Sequence, residues 1–155
     1  MSLLHLALLA LSVFGGATLG TALMRRLAVR YGWLVLPRAD RWHKQPTARY
    51  GGTGFYPVFL LGALWILEQE YGGTWRLLAG SAHEGHLAAA MLLGSLVMFT
   101  CGLWDDVQPL RPPTKLLWQF VATSLFVYAG GSFPLTHEQV FDILLTYFWF
   151  VGITN

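Results

Sequence analysis

Apolar residues in this chain come in five long runs separated by polar segments. Each run is long enough to cross, or nearly cross, a bilayer core that needs about 20 helical residues. They predict helices from Leu3 to Met24, Gly54 to Leu67, His86 to Trp104, Leu116 to Ala129 and Val140 to Ile153. The second and fourth are short, so their ends are expected to reach into the flanking Gly-Gly and Pro-Thr-Lys segments. The first run has the apolar content of a signal peptide, but its arginines follow it instead of preceding it, which identifies a retained helix. The pattern predicts an all-α, polytopic transmembrane bundle forming a single domain over residues 1–155.

Composition supports this reading. The 155 residues are 55% hydrophobic and 12% charged, with a mean hydropathy of +0.50, against about 25% charged residues in an ordinary soluble domain. A formal charge of +2 is too small to suggest nucleic acid. The one cysteine, Cys101, lies in an apolar run and says little about redox compartment.

The distribution of basic residues gives an orientation, because short loops rich in Lys and Arg stay cytoplasmic. Seven of them (Arg25, Arg26, Arg30, Arg38, Arg41, Lys44, Arg49) fall between the first and second runs, and Arg111 and Lys115 follow the third. The opposite side holds only Arg76. The amino terminus is therefore expected outside. The segments "RADRWHKQPTARYGG", "DDVQPLRPPTK" and the final "GITN" then share the cytoplasmic face.

Two of these segments carry candidate chemistry. Asp105 and Asp106 end an inward-running helix, where the helix dipole makes each carboxylate unfavourable by about 0.3–1 kcal/mol. A divalent cation or a lysine would relieve their mutual repulsion. A plain helix end followed by a proline turn explains the pair equally simply, but Lys115, nine residues on, and the basic loop on the same face favour a site. In that loop Arg41, His43, Lys44 and Arg49 supply positive charge, Thr47 a hydroxyl, and Gly51-Gly52 backbone amides that a ligand could approach closely. The positive-inside rule alone accounts for the basic residues, though not for the clustering of His, Pro-Thr and Gly-Gly. "HEGH" (His83 to His86) lacks the spacing of an HExxH zinc helix, and "GGTG" follows no strand.

With these residues in place, the chain resembles the amino-terminal half of the polyprenyl-phosphate N-acetylhexosamine-1-phosphate transferases, which initiate cell-envelope glycans. "DRWHKQPTARYGG" resembles the family's first cytoplasmic loop, and "GLWDDVQPLRPPTKLLWQ" its G-x-x-D-D-x-x-x-L-x-x-x-x-K-x-x-x-Q element. "GITN" is similar to the opening of its N-x-x-N-x-x-D-x-x-D-G motif.

The resemblance implies transfer of a sugar 1-phosphate from a UDP-amino sugar to a polyprenyl phosphate, with release of UMP. It also implies Mg2+ as cofactor, with Mn2+ as an alternative, in a multi-pass plasma-membrane enzyme, and leaves a homodimer open. Bringing two anionic phosphates together requires cation clamping and alignment. On this reading Asp105 deprotonates or positions the polyprenyl phosphate, Asp106 positions the metal, and Lys115 neutralises phosphate charge. Arg41, His43, Lys44, Thr47, Arg49, Gly51, Gly52 and Asn155 line the substrate side. A one-step attack and a covalent-aspartate route both fit.

Family members have about ten or eleven transmembrane helices, so the chain reads as truncated and is expected to be inactive alone. The rival classes are a small membrane scaffold and a transporter segment; a transporter would place ionisable residues near the midplane of its spans.

Overall fold

The computed structural model describes residues 3–35, 47–72, 83–136 and 138–154. Among them the chain forms five α-helices and one short ribbon. The order is α1 (Leu3–Tyr31), β1 (Leu34–Val35), β2 (Thr47–Ala48), α2 (Gly51–Tyr71), α3 (His83–Val107), α4 (Pro112–Tyr128) and α5 (Gln139–Thr154). The helical expectation holds, and the ribbon is an addition to it.

Among the described residues three helices are long and apolar enough to cross a membrane: α1, α2 over Gly51–Gln69, and α3 over Gly85–Val107. The other two, of 17 and 16 residues, rise about 24–26 Å at 1.5 Å per residue. The short second and fourth runs do extend as expected, α2 back to Gly51 and α4 back to Pro112. By contrast α1 continues to Tyr31, well beyond Met24, because Arg, Leu and Ala in its last two turns favour helix.

The distribution of side chains is that of a protein built for lipid. Large apolar residues such as Leu3, Leu11, Phe14, Leu19, Val140 and Phe148 are exposed, whereas Gln119, Thr123, Asp142 and Thr146 are buried. Helix hydroxyls are satisfied within their own helices: Thr18 donates to the Phe14 carbonyl, Thr100 to that of Leu96 and Ser124 to that of Phe120. Internal satisfaction of this kind is what a bilayer core demands.

The chain divides into two compact units, Met1–Ile66 and Leu67–Asn155. In the first, α1 and the start of α2 cross at small residues. A Cβ on Gly20 would collide with the Gly54 carbonyl, and one on Gly54 would lie 2.7 Å from the Gly20 carbonyl. A Cβ on Gly62 would meet Val13 at 2.7 Å, and one on Gly16 would meet Val58 at 3.0 Å. Gly16 and Gly20 are four apart, the spacing at which small residues let membrane helices approach closely. The ribbon closes this unit, with Leu34 opposite Ala48 and Val35 opposite Thr47.

In the second unit, α3 and α4 form an antiparallel hairpin and α5 packs antiparallel on α4. The end of α3, the start of α4 and the end of α5 therefore lie at one end of the unit. A Cβ on Gly94 would come within 3.3 Å of the Ala122 carbonyl, marking the close contact of α3 with α4. Between α4 and α5, Phe120 stacks on Tyr147 at 5.5 Å and Ser124 shares a 2.8 Å hydrogen bond with the Tyr147 hydroxyl.

At the opposite end, Asp142 folds the α4–α5 connection. Its Oδ1 accepts the backbone N–H of Leu135 (3.2 Å) and of Thr136 (2.7 Å), and the Thr136 hydroxyl (2.9 Å).

Candidate functional site

Pro109 breaks the chain after α3. The Gln108 N–H still bonds the Trp104 carbonyl at 2.8 Å, but proline offers no N–H and biases the residue before it away from helix. The chain resumes at Pro112 and Pro113, which occupy the first turn of α4, where a missing N–H costs nothing. The Arg111 carbonyl then accepts Thr114 N–H and Lys115 N–H at 3.0 and 3.2 Å. Prolines thus fix both edges of a turn of only a few residues.

Asp105 holds that turn shut. Its Oδ1 accepts the Leu110 backbone N–H at 2.8 Å, and its Oδ2 lies 2.8 Å from the Lys115 ammonium. The energetic objection to a carboxylate at a helix C-terminus is met here by a donor from beyond the helix and by a cation from the next one. Asp106 sits beside it, half-buried. The sequence spacing of Asp105, Leu110 and Lys115 is therefore the spacing of one hydrogen-bonded cluster. All three candidate catalytic residues, Asp105, Asp106 and Lys115, lie within it or against it.

One turn further along α4, Gln119 is buried, and its Nε2 donates to the Thr154 carbonyl at 3.4 Å. In the sequence this glutamine closes the "GLWDDVQPLRPPTKLLWQ" element without a role of its own; a polar amide amid apolar neighbours was the available signal.

In the first unit, Arg41, His43 and Lys44 lie outside the described residues, as does Asn155 in the second. Thr47 is in β2 opposite Val35, and the Arg49 N–H donates to the Trp33 carbonyl at 2.9 Å. Trp33 stacks on Tyr31 at 5.2 Å and meets the edge of Tyr50 at 5.6 Å. These contacts gather Thr47 and Arg49 at the foot of the ribbon, directly before α2.

Gly51 and Gly52 open α2, where the first N–H groups of a helix lack intrahelical acceptors. The left-handed residue of this segment falls just before the glycines. Tyr50 takes the left-handed conformation, with φ of 63°, and its carbonyl accepts both the Thr53 N–H (3.1 Å) and the Thr53 hydroxyl (2.6 Å). The diglycine is not used for a positive φ.

Among the described residues no three His, Cys, Asp or Glu side chains gather into a metal cage. Magnesium, however, commonly takes only one or two protein carboxylates and completes its shell with water and phosphate oxygens.

Residues 88–155 match the family model of glycosyl transferase family 4. The chain is 31% identical to the decaprenyl-phosphate N-acetylglucosaminephosphotransferase of Mycolicibacterium smegmatis, over 97% of this chain and 38% of that protein. It is 29% identical to the protein of the same name from Mycobacterium tuberculosis, over 97% of this chain and 39% of that one. The chain thus spans well under half the length of the curated relatives it matches. No solved structure matches it. The resemblance read from the motifs is borne out, and the Asp-Asp, Lys and Gly-Ile-Thr-Asn elements all lie within the matched residues.

Proposed function

We propose that the complete protein carrying this chain transfers an N-acetylhexosamine 1-phosphate from a UDP-amino sugar to a polyprenyl phosphate, such as undecaprenyl phosphate. It would release UMP and serve as the first membrane step of cell-envelope glycan synthesis. The observation that best supports this reading is the α3–α4 turn. It holds two carboxylates and a lysine at the end of a membrane helix, within the residues that match glycosyl transferase family 4.

In this reaction an oxygen of the polyprenyl phosphate forms a bond to the phosphorus that bears the sugar. The bond from that phosphorus to the UMP oxygen breaks, and UMP leaves with the electron pair. Positioning and charge neutralisation provide most of the catalysis in such transfers. Lys115, which pairs with Asp105 at 2.8 Å, would neutralise the phosphate, and Asp105 would then have an oxygen with which to orient or deprotonate the polyprenyl phosphate.

Asp106 would hold Mg2+, which when bound neutralises diphosphate charge and helps align the leaving group. Arg41, His43, Lys44, Thr47 and Arg49, with the N–H groups of Gly51 and Gly52, would serve the nucleotide-sugar or phosphate side, and Asn155 would line the same site. The basic residues between α1 and α2 and the α3–α4 turn would face the cytoplasm from the inner membrane.

The direct assay is UMP release from UDP-N-acetylglucosamine by the polypeptide of the complete reading frame, in detergent or vesicles. Release should require both Mg2+ and polyprenyl phosphate. Absence of release across several UDP-amino sugars would overturn the proposal.

A further inference from the structure

We propose that Gln119 is a positioning residue that ties the end of α5 to the Lys115 face of α4. This deepens the transferase reading and rests on it for its consequence in catalysis, while the tie itself stands on geometry.

Gln119 is 5% exposed, and its Nε2 donates to the carbonyl of Thr154 in the last turn of α5. The Thr154 hydroxyl turns back to the Phe150 and Val151 carbonyls, and the Thr154 carbonyl takes its side-chain donor from the neighbouring helix.

The orientation of that amide is determined. Turning it over would set Oε1 against the Thr154 carbonyl, two acceptors with no proton between them. The donor must face α5, which leaves Oε1 buried with no hydrogen-bond partner among the described residues. Packing alone does not account for this choice of side chain. Methionine would occupy a similar volume without burying an unused acceptor. What the amide adds is direction, a fixed approach of α5 to α4.

The consequence follows from helix spacing. Gln119 lies four residues beyond Lys115, on the same face of α4 and one turn along. Lys115 holds Asp105 at the end of α3, and Gln119 holds Thr154 at the end of α5. Successive turns of α4 therefore bind the ends of both neighbouring helices. Whatever α5 contributes at its end is set relative to the Asp105–Lys115 pair through Gln119.

The test measures the tie without requiring activity. Leu117 and Ile153 are exposed on α4 and α5; substituted as Leu117→Cys and Ile153→Cys in a Cys101→Ala background, they accept spin labels for distance measurement in lipid nanodiscs. With Gln119 present, one narrow distance distribution is expected. Gln119→Met should broaden or shift it while leaving helix content and the unfolding midpoint in place. Gln119→Leu, which likewise carries no donor, should do the same. An unchanged distribution in both variants would overturn the proposal, and so would outright unfolding of both, which would mark a packing role.

In the complete reading frame, Gln119→Met should lower kcat for UMP release by about tenfold or more with KM for the UDP-sugar within about twofold, as expected when alignment and not binding is lost. An unchanged kcat would overturn the role in positioning. If the unsubstituted protein releases no UMP from any UDP-sugar, the transferase reading fails, and the distance measurement alone decides whether the tie exists.

Discussion

Asp105 performs two separable structural tasks, and substitution can divide them. Its Oδ1 accepts the Leu110 N–H and its Oδ2 pairs with Lys115, both at 2.8 Å. A hydrogen bond to a charged group contributes about 1.5–3 kcal/mol. The Lys115 and Asp105 side chains are 40% and 32% exposed, so solvent screening holds the ion pair to about 0.5–1 kcal/mol. Asp105→Asn retains an acceptor for Leu110 and gives up the pair. Asp105→Ala removes both, at roughly 2–4 kcal/mol.

A double-mutant cycle of Asp105→Asn with Lys115→Met should therefore give a coupling of about 0.5–1 kcal/mol. That coupling should shrink as salt rises toward about 1 M. The measurement is equilibrium unfolding in mixed micelles of increasing SDS fraction, followed by tryptophan fluorescence. Strict additivity of the two substitutions, or an Asp105→Ala cost no larger than that of Asp105→Asn, would refute the clamp assigned to this carboxylate.

Asp142→Ala should leave three donors of the α4–α5 connection without their acceptor and cost roughly 2–3 kcal/mol, with faster hydrogen exchange at the Leu135 and Thr136 amides as the specific readout. Gly20→Val should push α1 from α2, because the added Cβ meets the Gly54 backbone, at about 1–3 kcal/mol. Gly15→Val is its control, since a Cβ there meets nothing within 4 Å, and its midpoint should stay close to that of the parent. For the complete protein, Asp106→Asn should raise the Mg2+ concentration needed for half-maximal UMP release by about tenfold or more, while destabilising the turn less than Asp105→Ala does.

The helices were legible because a bilayer imposes a strong rule: about 20 apolar residues in succession. What that rule does not set is where a helix stops outside the apolar zone, and so α1 was read short at its arginines. The ribbon escaped notice because two residues per strand give no periodicity to detect. In the candidate site, residue type and order identified Asp105, Asp106 and Lys115, since charges are rare enough in this chain for three near one turn to stand out. Their pairing was not legible. Nothing in "DDVQPLRPPTK" says which aspartate takes the lysine until Pro109 and Pro112 have set the turn. Gln119 and Asp142 were overlooked for the opposite reason: burial confers their roles, and burial depends on α5 packing against α4.

Asp105 and Asp106 both end a helix whose carbonyls make the local potential negative. Asp105 finds compensation in groups that the turn itself presents, the Leu110 amide and the Lys115 ammonium. Those two donors occupy one oxygen each. The arrangement also orders events. On the transferase reading proposed above, a phosphate that attracted Lys115 would withdraw the partner of Asp105, so that arrival of the lipid anion and release of the carboxylate would become one step. A pair of acids with no lysine between the two helices would lack that coupling. This is why the ten-residue interval from Asp105 to Lys115, and not the Asp-Asp doublet alone, carries the chemical information in this stretch.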